Sequence, residues 1–400
     1  MNSVAGPDDL RRLQRISRTA LIVGAVCLLS CTLVVILQHR TPLEREVIEG
    51  YLIAWWFFAG ISLGSLATIM VHHLTGGRWG RHVGPPLEGA LRALPLLAVL
   101  FVPLLFGMNE LYPWADPNAV LDPSVAETVR KKSWYLKEQF FLLRAALYFT
   151  AWLLIAARLG RAWARYGADT PPTERLRLRV WSTVGLLIYA VTVTFAAVDW
   201  IMSLVPQWYS TTFGLLTGVG QSLSGFAFGI VGASVLPELR ARARRAPPQE
   251  FNDLGNLMLM FVMLWAYLAY TEYLIIWAED LRHENAWHLP RIETSWRWVG
   301  VFLIVFEFAV PFFVLLFRDA KRRVPIMLAL GSGLLVAHWV DSVWVVSPSL
   351  HPQGITLHWP IVVASLGVGG LWLANVAWLV AQGPSIASAE LSDTPEAEHG

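Results

Sequence analysis

Trp296-Arg-Trp-Val-Gly-Val-Phe-Leu-Ile-Val-Phe-Glu307-Phe-Ala-Val-Pro311-Phe-Phe-Val-Leu-Leu-Phe-Arg318 is the stretch that decides the fold. Between Arg297 and Arg318 only Glu307 can ionise. About 20 mostly apolar residues, coiled as an α-helix, match the hydrocarbon thickness of a bilayer. Polar and apolar residues do not alternate, which excludes a membrane β-strand. Equivalent runs lie at 19–38, 51–74, 91–113, 134–159, 180–205, 211–235, 254–279, 324–346 and 359–381. The sequence therefore predicts an all-α polytopic membrane protein with ten transmembrane helices. Residues 1–18 precede its membrane domain (19–381), and a short acidic tail (382–400) follows it.

The composition agrees. Of the 400 residues, 55% are hydrophobic and only 15% are charged, against about a quarter charged in soluble domains. This excludes a disordered chain and a nucleic-acid binder, and it speaks against a water-soluble enzyme. Two cysteines, Cys27 and Cys31, are too few for a disulfide scaffold. They lie four apart on one helix face and read as small core residues. The apolar run from Thr19 to Leu37 follows Arg11, Arg12, Arg15 and Arg18, but it is long for a signal peptide and no small-residue cleavage site follows. It reads as a retained first helix.

Lys and Arg set the orientation. One side carries Arg11 to Arg18, Arg78, Arg81, Arg92, Arg158 to Arg179, Arg240 to Arg245 and Arg318 to Arg323. The other carries Arg40, Arg45, Arg130, Lys131, Lys132, Arg282 and Arg291. The bias, roughly three to one, predicts that both termini are cytoplasmic. Trp114, Trp134, Trp208, Trp277, Trp287, Trp296 and Trp359 fall at helix ends and suggest an interfacial belt.

A weak internal repeat is visible. Glu110 and Glu272 stand at the same offset as Trp134 and Trp296; Asp199 and Asp341 share a second offset with Pro206 and Pro348. Spans two to five (51–205) and six to nine (211–346) thus read as two parallel four-helix bundles flanked by the first and last helix. Gly60-x-x-x-Gly64, Gly214-x-x-x-Gly218 and Gly225-x-x-x-Gly229 are packing signals, and Pro95, Pro103 and Pro311 should bend their spans.

Ionisable side chains in hydrocarbon are expensive and therefore candidate functional groups. Glu110, Asp199, Glu272 and Asp341 cluster toward the outer ends of their spans, with Arg144 and His338 at similar depth; Glu307 is alone near mid-span. Two readings stand. In one, Arg144 pairs with a carboxylate and the others are merely satisfied. In the other, Asp199 and Glu272, with His338, Asp341, Glu307 and Glu110 behind them, form a proton-transfer path. Tyr148 and Tyr273 read from the residues as packing; the resemblance described next implies contact with a quinone head group as their other use. His72 and His73 lie at the opposite end from His338, so no pair faces one haem, and no metal-ligand cluster or covalent haem motif occurs.

Three stretches carry a family likeness: Phe140-Phe-Leu-Leu-Arg144-Ala-Ala-Leu-Tyr148-Phe-Thr-Ala-Trp152; Val198-Asp199-Trp200-Ile-Met-Ser203-Leu-Val-Pro206-Gln-Trp208-Tyr-Ser210-Thr211; and Trp265-Ala-Tyr267 through Tyr273-Leu-Ile-Ile-Trp277 to Arg291 and Trp296. With Pro311-Phe312 and the basic turn at Lys321, they resemble the F subunit of alternative complex III, the quinone-binding subunit 2 of a quinol:cytochrome c oxidoreductase. More distantly they are similar to NrfD/PsrC-type membrane anchors. The resemblance implies a non-haem membrane subunit in a respiratory complex, handling quinone (menaquinone or ubiquinone) or protons near the periplasmic side. It implies as partners a related quinol-site membrane subunit, periplasmic iron–sulfur and haem c subunits, and lipid. Glu272 departs from the family pattern, where Gln is common. A proton-coupled small-molecule transporter and a purely structural scaffold are the rival readings.

Overall fold

The computed structural model describes residues 7–38, 41–77, 79–116, 122–160, 171–237, 239–241, 247–279, 285–356 and 358–382. The expected tail, the basic stretches 161–170 and 242–246, and Arg40, Arg78 and Arg282 lie outside the described residues. In chain order the long helices are α1 (Pro7–Leu37), α2 (Pro42–Thr75), α3 (Gly80–Arg92, continued by Leu94–Phe106), α4 (Glu138–Leu159), α5 (Pro172–Trp200), α6 (Phe213–Val235), α7 (Pro248–Glu279), α8 (Arg297–Leu316), α9 (Val324–Leu350) and α10 (Trp359–Ala381). Among the described residues, nine are long and apolar enough to cross a membrane, and no strand is present. The two limbs of α3 pass that test only when taken together.

Proline writes several of these boundaries. Pro42, Pro172, Pro325 and Pro360 occupy the first turns of α2, α5, α9 and α10, where a missing N–H leaves nothing unpaired. Pro95 opens the second limb of α3, which is bent by 41° from the first. Pro95 has no N–H for the carbonyl four residues back, so the ladder breaks there.

Several boundaries differ from the sequence reading. The third segment lies nearer the N-terminus than 91–113, and Glu110 falls in a separate turn of helix, Met108–Leu111, half-buried beyond the end of α3. Helix α2 begins nine residues before the apolar run at 51, because Glu44, Glu46 and Glu49 are accommodated on it by polar partners. Helix α1 likewise starts at Pro7 and carries its arginines on helix.

The centre is built from α2 and α6. Helix α2 is apolar all round and is enclosed by α3, α5, α6, α9 and α10; α6 touches α2, α3, α5, α7 and α9. The two cross where Gly64 meets the backbone of Gln221 and Gly225 meets that of Gly64 and Ser65. A Cβ on Gly64 would strike the Gln221 carbonyl, so only glycine permits this approach. Helix α1 packs along α10 at Gly24, Gly367 and Gly370. Outward faces of α1, α4, α5, α7 and α8 are rich in exposed Leu, Ile, Val and aromatic side chains, as contact with lipid demands.

The tryptophan belt needs correction. Trp134, Trp277 and Trp359 are exposed, but Trp208, Trp287 and Trp296 are buried. Trp208 and Trp287 stack at 4.3 Å and 10°, and the Trp296 indole donates to the carbonyl of His351. These three rings find partners inside the protein and close the ends of helices.

Candidate functional site

The carboxylates of the two halves end up in different surroundings. In the first half Arg144 of α4 grips Asp199 of α5 with two donors, Nε at 2.8 Å and Nη2 at 2.9 Å. Its Nη1 donates to the Tyr135 carbonyl, and the guanidinium lies 3.8 Å over the Tyr135 ring. Tyr148 adds a third donor to Asp199 at 2.8 Å. Asp199 is 1% exposed, and these donors hold its carboxyl group in one orientation. Tyr148 therefore spends its hydroxyl on Asp199 and is not among the residues lining the cavity described next.

The second half has no such clamp. A cavity of about 730 Å³ lies between α2, α6, α7, α8 and α9, closed at one end by the segment Trp287–Ile292. Its walls are mainly aromatic and aliphatic: Trp56, Phe213, Trp265, Leu303, Phe308 and Trp344. Polar groups enter at few points, namely Thr217, Gln221, Glu272, His288, Arg291, His338 and Asp341. Tyr267, Tyr270, Tyr273 and Ile304 line it and are also exposed on the outer faces of α7 and α8. Helix α7 packs on α8 along Ile304–Ala309 and Val310–Leu316, and the exposed faces of these tyrosines bring the cavity wall to the outer, apolar surface. This is the form of a site for an apolar ligand with a polar head.

At the deep end sit Glu307, His338 and Asp341. Glu307 is fully buried, and neither carboxyl oxygen has a hydrogen-bond partner; His338 Nδ1 stands 3.6 Å from Oε1. The same ring nitrogen is 3.9 Å from Asp341 Oδ2, one turn along α9. Local sequence explains the position of Glu307. Residues Ile304–Ala309 form a π-helical turn within α8. Pro311 cannot donate to the Glu307 carbonyl and its ring would clash with it, so the helix widens there. Such wide turns favour functional positions, and a buried unpaired carboxyl costs about 1–3 kcal/mol that a merely structural role would not require.

Arg291 was visible in sequence only as a loop cation, yet it organises the outer end. It is 1% exposed and donates to the carbonyls of Trp287, Trp344 and Val345 and to Ser349. The guanidinium lies 3.5 Å over the Trp287 ring. Pro348, four residues after Trp344, leaves that carbonyl without a helical donor, and Arg291 Nε supplies one at 3.1 Å. Burial works against its charge, while the carboxylates of Glu272 and Asp341 work for it. His288, beside it, is held well below its usual range, at about 3, by burial first and Arg291 second, and is neutral at physiological pH.

Of the sequence candidates, Glu272, His338, Asp341 and Tyr273 meet around this cavity, with Glu307 behind His338; Glu272 Oε1 has no hydrogen-bond partner. Asp199, Arg144 and Tyr148 form the separate clamp, and Glu110 lies apart from both. Gln221 was not anticipated: Tyr189 donates to its Oε1 at 3.0 Å, fixing its amide at the α2–α6 crossing. Compared with known proteins, the chain matches no family model and no curated protein.

Proposed function

We propose that this chain is the membrane subunit of a respiratory quinol-oxidising complex and that the cavity of the second half receives the quinol. The observation that carries this is a lipid-open, aromatic-walled cavity ending on a carboxyl–imidazole–carboxyl cluster, Glu307–His338–Asp341. Oxidation of a quinol to a quinone releases two protons and two electrons. Proton removal needs a base within reach, and His338 with Asp341 supplies one at the cavity wall. Glu307, 3.6 Å from the same imidazole, shares the proton with it, and Glu272 stands at the head-group end as a second acceptor. The electrons leave to the iron–sulfur and haem c centres of periplasmic partner subunits. In this reading the ten segments form two four-helix bundles in the inner membrane, termini in the cytoplasm. The first bundle is held shut by Arg144–Asp199, and the second is left open for ligand.

The test is purification of the full chain from gently solubilised membranes, with analysis of what accompanies it. Co-purifying redox subunits, together with quenching of tryptophan fluorescence by decylquinol, support the reading. Glu307→Gln and Asp341→Asn should then keep decylquinol binding and slow its oxidation about 100-fold, the usual range for a lost acid–base group. A particle without redox centres that does not bind decylquinol would overturn it.

A further inference from the structure

A second titratable cluster lies at the end of α2 that begins with Pro42, and no part of the cavity chemistry uses it. Glu49, with a side chain only 1% exposed, accepts from Ser347 of α9 at 2.5 Å and bonds Nε2 of His351 at 2.7 Å. Glu46, one turn nearer the helix end, lies 3.2 Å from Nδ1 of His358. The two imidazoles are 4.8 Å apart, centre to centre, and each side chain is 22% exposed. The order is thus a buried carboxylate, two partly exposed rings, and a second carboxylate exposed to the same extent as the rings, 21%.

We propose that Glu49, His351, His358 and Glu46 form the outward terminus for protons released in the cavity, delivering them to the medium at this face. The proposal rests on the quinol reading of the cavity. Position supports it. Helix α2 places Glu49 two turns from Trp56 and three from Gly60, on one helical face; Trp56 lines the cavity, and Gly60 faces His338. On α9, Ser347 is six residues beyond Asp341, a rise of about 9 Å. That gap is the length of a short chain of hydrogen bonds through side chains and water.

The chemistry balances without a redox partner. A proton reaching Glu49 passes along the 2.7 Å bond to Nε2 of His351. Loss of the Nδ1 proton to the medium and return of the ring to its first tautomer leave the site as it began. The Glu49 hydrogen bond raises the affinity of His351 for protons, against burial and the Arg45 guanidinium, with Glu46 adding to the rise. These are the charged groups that face the ring: Glu49, Glu46 and Arg45 from α2, with His358 beside it.

The test uses the native particle containing the full chain, reconstituted in neutral phospholipid vesicles and supplied with decylquinol. A pH-sensitive dye reads proton release, and absorbance reads quinol oxidation. Glu49→Gln keeps both hydrogen-bonding partners in place, so the fold is retained. The expected result is release at least tenfold slower than wild type at unchanged decylquinol affinity, with a smaller delay in His358→Gln. Release at the wild-type rate in both variants, with binding intact, overturns this proposal alone. Failure of the wild-type particle to bind decylquinol overturns the cavity reading and this proposal with it.

Discussion

Replacing Arg144 with Met would strand a buried charge, and the size of the loss follows from the contacts. Asp199 is 1% exposed and loses donors at 2.8 and 2.9 Å, keeping only Tyr148; the Tyr135 carbonyl loses its donor at 3.1 Å. Removing one partner of such a pair costs about 3–5 kcal/mol, because the remaining carboxylate is neither hydrated nor neutralised. The Met side chain refills most of the volume, so a cavity adds little. The double variant Arg144→Met with Asp199→Asn removes the stranded charge and leaves the Asn oxygen for Tyr148. It should recover to within about 1–2 kcal/mol of wild type, in line with buried pairs replaced as a unit. Equilibrium unfolding of the full chain in mixed dodecylmaltoside and dodecyl sulfate micelles, followed by tryptophan emission, gives both numbers. An Arg144→Met chain within about 1 kcal/mol of wild type, or a double variant no better than the single, would refute the clamp.

Pro311→Ala restores an N–H to the Glu307 carbonyl and should convert the π turn to regular α-helix; unfolding stability is expected to hold or rise, while decylquinol affinity falls at least tenfold as Glu307 and the lining of α8 rotate. Unchanged affinity would separate the turn from the site. His288 titrates near 3 in the fold, below its ordinary value of 6.5. Its contribution is complete above pH 6.5 and is lost as pH falls toward 3, because the unfolded chain binds the proton first. Between pH 7 and 5 the loss is about 2 kcal/mol, and His288→Leu should remove it from the pH profile of unfolding.

The helices were legible because length and hydropathy alone specify a spanning segment, and Pro95 marked its own bend. Arg144 and Asp199 could be matched as opposite charges at one depth. What stayed hidden depends on side-chain direction. Arg291 looked like a loop cation because nothing in its neighbours shows that it folds back onto α9; the clue is Pro348, which frees the Trp344 carbonyl. The spacing of Glu307 and Pro311 likewise signals a widened turn, although the sequence reading took it only as a kink. Glu46 and Glu49 precede the apolar run and were assigned to a loop. Only the tertiary contacts with Ser347, His351 and His358 show why carboxylates tolerate the start of α2.

The cavity is lined by tyrosines of α7 and by Ile304 of α8 that are also exposed on the outer faces of these apolar helices. If it receives the quinol proposed above, its occupancy is set by mole fraction in the bilayer, with ligand arriving sideways from a two-dimensional reservoir. A tail of ten methylenes favours that reservoir by about 8 kcal/mol, so a weak intrinsic fit suffices for saturation. Apparent affinities should therefore scale with the lipid-to-protein ratio of the preparation, and diluting the vesicles with empty lipid should weaken binding as effectively as removing ligand.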